Sequence, residues 1–238
     1  MIFIQLGAGA GDQDPRRNYR DGFSEFVKKN DVIEKKIVLV EANPNNIKKL
    51  KQSWESFNNT KIINSAIVPD NINSKFLDFY YCEEDAPHYQ TFSYKLEHVK
   101  KHFPKAKQIN SIKIKTQKIS DFLISEFKDS KIDYLGIDLE GIDFEIVRDL
   151  DLIKFDILNI SFEFLHMSFN QKRKIINKLN DNGYSYCGYG FDNENCDWIF
   201  TKKKLFLNQI ISNFLPYISH KHIKFLNKLI SKNYLFKL

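Results

Sequence analysis

IFIQLGAGAG, residues 2–11, is a short apolar run that stops on three alternating glycines. A run of this length reads as a strand, and glycines directly behind it mark a tight turn where a ligand can approach the backbone. A second run follows, KIVLVEANP over 36–44, and it reaches Glu41 30 residues after Gly11. An acid at the end of the next strand of a βαβ unit can accept hydrogen bonds from both hydroxyls of a ribose. Two strands, a glycine turn and a strand-end acid predict the nucleoside-binding edge of an open α/β sheet.

Working outward, the same alternation of apolar runs and helical stretches continues along the chain. Helices are expected around 23–29 and through 46–57, with KIINSAIV (61–68) as a third strand and FLDFYYC (76–82) as an edge strand in the same region. SIKIKTQ (111–117) alternates cleanly, and SDFLISEF (120–127) opens a helix on Ser120 as N-cap. KIDYLGIDL (131–139) is nearly continuous in its apolar character, as expected of a strand buried on both faces, and its helix begins after Gly141. ILNISFEF (157–164) makes a fifth strand, followed by a helix over 170–183 that Gly183 ends. YSYCGYG and CDWIFTKK, joined by FDNEN, predict an antiparallel hairpin at the sheet edge.

The expected fold is α/β and Rossmann-like: seven strands in a mostly parallel sheet, an antiparallel edge hairpin, and C-terminal helices. One domain would occupy 1–203, with an inserted flap at 83–110. Residues 204–238 would form an amphipathic helical extension, because apolar residues recur there at helical spacing among Lys, His and Asn. Such helices suggest packing onto the domain, a homo-oligomer contact or a peripheral membrane contact.

Composition narrows the classes further. Hydrophobic residues make up 42% and charged residues 28% of 238, which excludes disordered and collagen-like chains. A formal charge of +6 favours anionic small molecules such as nucleotides, phosphorylated sugars or acidic glycans, and no nucleic acid is expected. Three cysteines without CxxC spacing suggest neither a disulfide framework nor a structural zinc site. No basic leader and no apolar run of about 20 residues is visible, so a cytoplasmic protein without a transmembrane span is expected.

The spacing of the glycines separates two nucleoside ligands. A dinucleotide fingerprint is GxGxxG, whereas Gly7, Gly9 and Gly11 give GxGxG, and the polar, proline-interrupted DQDPRRNYRDG behind them cannot start a tightly packed helix at once. Pyrophosphate binding is disfavoured. At this point the chain resembles the FkbM family of S-adenosylmethionine-dependent methyltransferases, of the class I methyltransferase fold, over about residues 1–202. The resemblance rests on IQLGAGAG, VEANPNNIKKL, NSAI, the central YLGIDLEGIDFEIV with its IDxEG element, and ISFEF, in family order. It implies that Gly7, Gly9 and Gly11 border the methionine part of the cofactor, that Glu41 holds the ribose, and that Asn43, Ser65 and Ala66 lie near the adenine. It also implies O-methylation of a hydroxyl on a sugar, glycan or related small molecule. Two positions depart from the family: Gln5 stands where an acid is usual, and Gly136 where a lysine often precedes IDxEG. Gln5 could still meet the cofactor's ammonium through its carbonyl.

Transfer to a hydroxyl needs a group to take its proton. Asp138 and Glu140 end the fourth strand, and Glu163 and His166 the fifth, at the edge where open α/β sheets bind ligands. His166 is the expected base, with Glu163 orienting it or acting instead, and Asp138 could instead hold the cofactor amine. A divalent metal on Asp138, Glu140 and Glu163 fits their oxygen chemistry, although the spacing does not require one. His88 and Tyr89, in the flap, are expected against the acceptor, and His98 and His102 either join them or form a solvated helix face. Two other readings of the crevice remain: an NAD(P)-dependent oxidoreductase, and a non-catalytic nucleotide- or nucleic-acid-binding module.

Overall fold

A computed structural model of the chain describes residues 1–13, 21–29, 35–86, 91–190, 196–203 and 206–218. Strand β1 (Ile2–Leu6) is followed by α1 (Gly22–Lys29), β2 (Lys36–Glu41), α2 (Pro44–Ser53), β3 (Thr60–Asn64), β4 (Ala66–Val68) and β5 (Phe76–Cys82). Then come α3 (Leu96–His102), β6 (Ile109–Lys118), α4 (Ile119–Phe127), β7 (Tyr134–Ile137), α5 (Asp143–Asp149) and β8 (Asn159–Glu163). The chain continues through α6 (Phe169–Asp181), β9 (Ser185–Tyr189), β10 (Asp197–Thr201) and α7 (Phe206–Phe214).

Seven strands form the main sheet in the order β3-β2-β1-β7-β8-β10-β9. The pairs from β3 to β8 are parallel, and β10 runs antiparallel to both β8 and β9. The strand order reverses at β1, which lies between β2 and β7. That is the switch point above which an α/β sheet opens a crevice.

Alternation along the strands divides the core. Ile4, Leu6, Val38, Leu135 and Ile160 face Phe122 of α4, Ile146 of α5 and Ile176 of α6. Phe3, Ile37, Leu39 and Tyr134 face the other way, onto Phe23 and Phe26 of α1 and Leu50 of α2. Both faces are dry, which is why these strands read as unbroken apolar runs. The hairpin joins this core through aromatic contacts: Phe162 stacks on Phe200 with ring centroids 5.8 Å apart, and Phe164 on Trp198 at 4.2 Å.

The third apolar run, 61–68, is two strands rather than one. Asn64 ends β3 by turning its side-chain amide onto the carbonyls of Glu41 and Ala42, at 2.8 and 3.2 Å. Buried Ser65 then donates to the Lys115 carbonyl at 3.1 Å, and β4 leaves to pair in parallel with β6. FLDFYYC therefore lies at the edge of a second, three-stranded sheet, β4-β6-β5, and not of the main one. Ala66, Phe79, Phe92 and Ile114 form that sheet's own small core.

Ser120 is not an N-cap. Helix α4 starts at Ile119, and Asp70, after β4, accepts from the Ser120 backbone N–H at 3.1 Å. The cap is supplied from 50 residues away, which no local pattern shows. Helix α6, in contrast, opens with a local capping box between Ser168 and Gln171.

Within the extension after residue 203, α7 lies along β9: Ser212 Oγ accepts from the Tyr186 backbone N–H at 2.8 Å, satisfying a donor on the open side of the edge strand. Residues 219–238 are outside the described residues. No described helix is long and apolar enough to cross a membrane.

Phe162 is fully buried at the junction of the parallel strands and the hairpin. Phe162→Ala should lower stability by about 3–5 kcal/mol through lost burial and an unfilled cavity, measured by urea unfolding. An unchanged midpoint would show that the hairpin does not share this core.

Candidate functional site

A cleft of about 850 Å³, counting its open mouth, lies over the β1–β7 switch point. Its floor depends on close backbone approach. A Cβ on Gly7 would sit 1.7 Å from the carbonyl oxygen of Asp138, and Gly7 has a φ of +78°. Any side chain there would push the glycine turn and the tip of β7 apart. Glu41 fixes the turn from the other side. Its Oε2 accepts from the Gly9 N–H at 2.8 Å and its Oε1 from the Asn43 N–H at 2.7 Å. The carboxyl is buried, and burial pushes it up to about 7 despite the two amide donors and the Asn46 side chain. Asn46, also on the cleft wall, keeps its Oδ1 buried without a hydrogen-bond partner among the described residues.

Acids and imidazoles gather at the other rim. Asp138 is open to the cleft yet surrounded by protein, and that enclosure, then the carboxylates of Glu140, Glu163, Asp197 and Asp143, pushes its carboxyl well up. Glu140 has a φ of +50°, unusual for a residue with a side chain. Neighbours hold it there: Asp143 accepts from the Leu139 N–H at 2.9 Å and the Gly141 N–H at 3.3 Å, and Ser93 Oγ donates to the Glu140 carbonyl at 3.0 Å. Lys95 Nζ reaches the Gly141 carbonyl at 2.9 Å, so the segment before α3 is clamped to the IDxEG loop.

The clamp delivers histidines. His98 Nε2 lies 3.2 Å from Glu140 Oε2, and His166 Nε2 lies 3.4 Å from Glu163 Oε1. The rings of His98, His102 and His166 are 4.6–5.2 Å apart, centroid to centroid. Burial lowers all three below the usual imidazole range, reinforced at His98 by Lys101 and Lys95 and at His166 by the other two rings. His98 and His166 reach about 4, so both are neutral near pH 7.

Of the residues expected from the sequence, Gly7, Gly9, Gly11, Glu41, Ser65 and Ala66 line the cleft, and so do Asp138 and Glu140. Glu163 and His166 stand beside it, tied in through Glu140's imidazole neighbours. Asn43 serves as N-cap of α2, its side chain accepting from the Asn45 N–H at 3.0 Å, rather than lining the wall. Gln5 does not line the cleft either. It lies in register with Gly136, and a Cβ on Gly136 would fall 2.0 Å from Gln5 Oε1. The two departures from the family pattern are thus one packing arrangement: the glutamine occupies the room that the missing side chain leaves. His88 and Tyr89 lie outside the described residues.

Sequence reasoning missed Asp21, Phe79, Phe92 and Asn46 as cleft residues. Asp21, at the start of α1, accepts from the Ser24 N–H at 3.1 Å, a spacing that reads in sequence as a cap and nothing more. Phe79 and Phe92 stack at 5.2 Å through the second sheet, which the sequence had not separated from the first.

The model of the methyltransferase FkbM domain matches residues 5–186. No curated protein sequence matches the chain. Among solved structures, the fibrillarin pre-rRNA processing protein of Methanococcus jannaschii is similar at a TM-score of 0.40 and 10% identity over 84% of this chain, which spans 65% of that protein's length. The precorrin-6y C5,15-methyltransferase of Geobacter metallireducens is similar at 0.40 and 12%, over 84% of this chain and 78% of that one. With the domain match running from β1 into β9 and taking in the glycine turn, Glu41 and the IDxEG loop, the chain belongs to the FkbM methyltransferase family.

Proposed function

We propose that the chain is an S-adenosylmethionine-dependent O-methyltransferase acting on a hydroxyl of a sugar, glycan or related small molecule. The observation that carries the reading is Glu41: a buried carboxylate at the tip of β2, facing the cleft and already organising the glycine turn through Gly9. With two backbone amides and the Asn46 side chain already bonded, the carboxylate keeps one acceptor position for a ribose hydroxyl. The Oδ1 of Asn46, buried without a partner among the described residues, supports the same placement, since such an acceptor fits a ligand that brings a donor.

The methionine part is assigned to the Gly7–Gly11 turn and the adenine to the Ser65–Ala66 side, with Asn43 acting from behind as the α2 cap. Asp21 offers the ammonium a carboxylate that Gln5 does not. When bound, S-adenosylmethionine supplies a methyl group on a sulfonium, open to in-line displacement by an oxygen. The hydroxyl's proton is assigned to Asp138, whose carboxyl desolvation and then the neighbouring carboxylates hold well above the usual carboxylate range, with Glu163 beside it, rather than to His166, whose imidazole near 4 is a poor base. Apolar Ile67, Phe79, Phe92 and Ile142 on the cleft wall limit water around the reacting centre. Cys82, Cys187 and Cys196 form no disulfide among the described residues, in keeping with the reducing cytoplasm proposed as its location.

Calorimetry should show one equivalent of S-adenosylhomocysteine bound and no NAD(P). Absence of the first from the folded chain rejects the assignment. Glu41→Gln should weaken that binding about 10- to 100-fold, the cost of hydrogen bonds to a charged acceptor; an unchanged affinity removes Glu41 from the site.

The same residue makes a pH prediction for the free protein. Its carboxyl ionises near 7 when folded and near 4.5 otherwise, so across that window the folded chain keeps a proton the unfolded chain has released. Stability therefore falls as pH rises through the window and levels off above it. Urea unfolding of Glu41→Gln should show that fall reduced, by up to about 3 kcal/mol. A fall as steep as that of the wild type would mean that Glu41 is ionised throughout.

A further inference from the structure

We infer that His98, His102 and His166 form a binding site for a divalent transition-metal ion of the zinc type. Their ligand atoms all lie within 4.8 Å of one another. His98 and His102 are four residues apart on α3 and so share one face of the helix, the spacing by which two helical imidazoles grip a single zinc ion. His166 comes to the same point from the loop after β8, giving a third nitrogen from a distant part of the chain. Tetrahedral zinc holds its nitrogens about 3.3 Å apart, so the rings need to close by no more than on the order of 1.5 Å, within reach of side-chain rotation.

The surroundings fit a site that is held in place. A Cβ on Gly141 would come 2.5 Å from His98 Nδ1, so the glycine of the IDxEG loop provides the room in which this ring sits. Lys95 and Ser93 fasten the start of α3 to that loop. Glu140 and Glu163 each stand at hydrogen-bonding distance from one imidazole, where carboxylates orient metal-bound rings or complete the shell. His102 is exposed and leaves an entry path, while the His98 side chain is only 8% exposed. Three imidazoles select zinc, cobalt or nickel over magnesium, which prefers oxygen. The ion expected here thus differs in kind and place from one held by Asp138, Glu140 and Glu163 alone. Because Glu140 also lines the cofactor cleft, the ion would border that cleft without occupying it.

Titration of the full chain with Zn²⁺, and with Co²⁺ followed by visible absorption, tests the site. One equivalent should bind and resist excess Mg²⁺. His102→Ala, at an exposed position, and His166→Ala should each weaken Zn²⁺ at least about 100-fold, since loss of an outer-shell partner alone costs ~10–100-fold. Circular dichroism checks that both variants are folded, and S-adenosylhomocysteine calorimetry on the same samples reports the cleft independently. A chain that binds the nucleoside but no Zn²⁺, or histidine variants that keep wild-type Zn²⁺ affinity, would overturn the metal site and leave the proposed methyl transfer standing.

Discussion

The seam between β1 and β7 leaves no room for a side chain at Gly7 or Gly136. At Gly7 the two backbones come so close that a single extra carbon would overlap the Asp138 carbonyl. Two residues earlier along β1, Gln5 fills the space beside Gly136. These contacts let two strands that are far apart in sequence end side by side. The glycine turn behind one and the acids beyond the other then share one cleft. Every later feature of the site, from the placement of Glu41 to the rim of carboxylates, presupposes that closeness.

Closeness has an electrostatic cost. Glu41 and Asp143 are buried and Asp138 lines the cleft among other carboxylates, and each is pushed toward its protonated form. Backbone amides offset part of this: Gly9 and Asn43 serve Glu41, and Leu139 and Gly141 serve Asp143. The remainder leaves Glu41 and Asp143 at about 7 and Asp138 well above the usual carboxylate range. Glu140, held at positive φ, belongs to the same pattern of strain supported by its neighbours.

The segment from Phe92 through α3 connects the cleft to the imidazoles. Ser93 and Lys95 bond the IDxEG loop, Phe92 stacks on Phe79 in the small sheet, and α3 then carries His98 and His102 toward His166. One short segment thus closes an apolar wall and builds a nitrogen-rich rim. Its register follows from the clamp, since moving His98 off Gly141 would also break the bonds of Lys95.

By itself the sequence determined the α/β class, the seven strands of the main sheet, the glycine turn and the acid at Glu41. These are local signals: apolar runs of strand length, glycines where the chain turns, and an acid at a strand end are legible because neighbours in sequence create them. The break at Ser65, the capping of α4 by Asp70, the pairing of Gln5 with Gly136 and the gathering of three histidines were decided only in the tertiary structure. Each joins residues that are far apart in the chain, and their contact depends on strand order and on which backbones can approach. No spacing along a sequence records that.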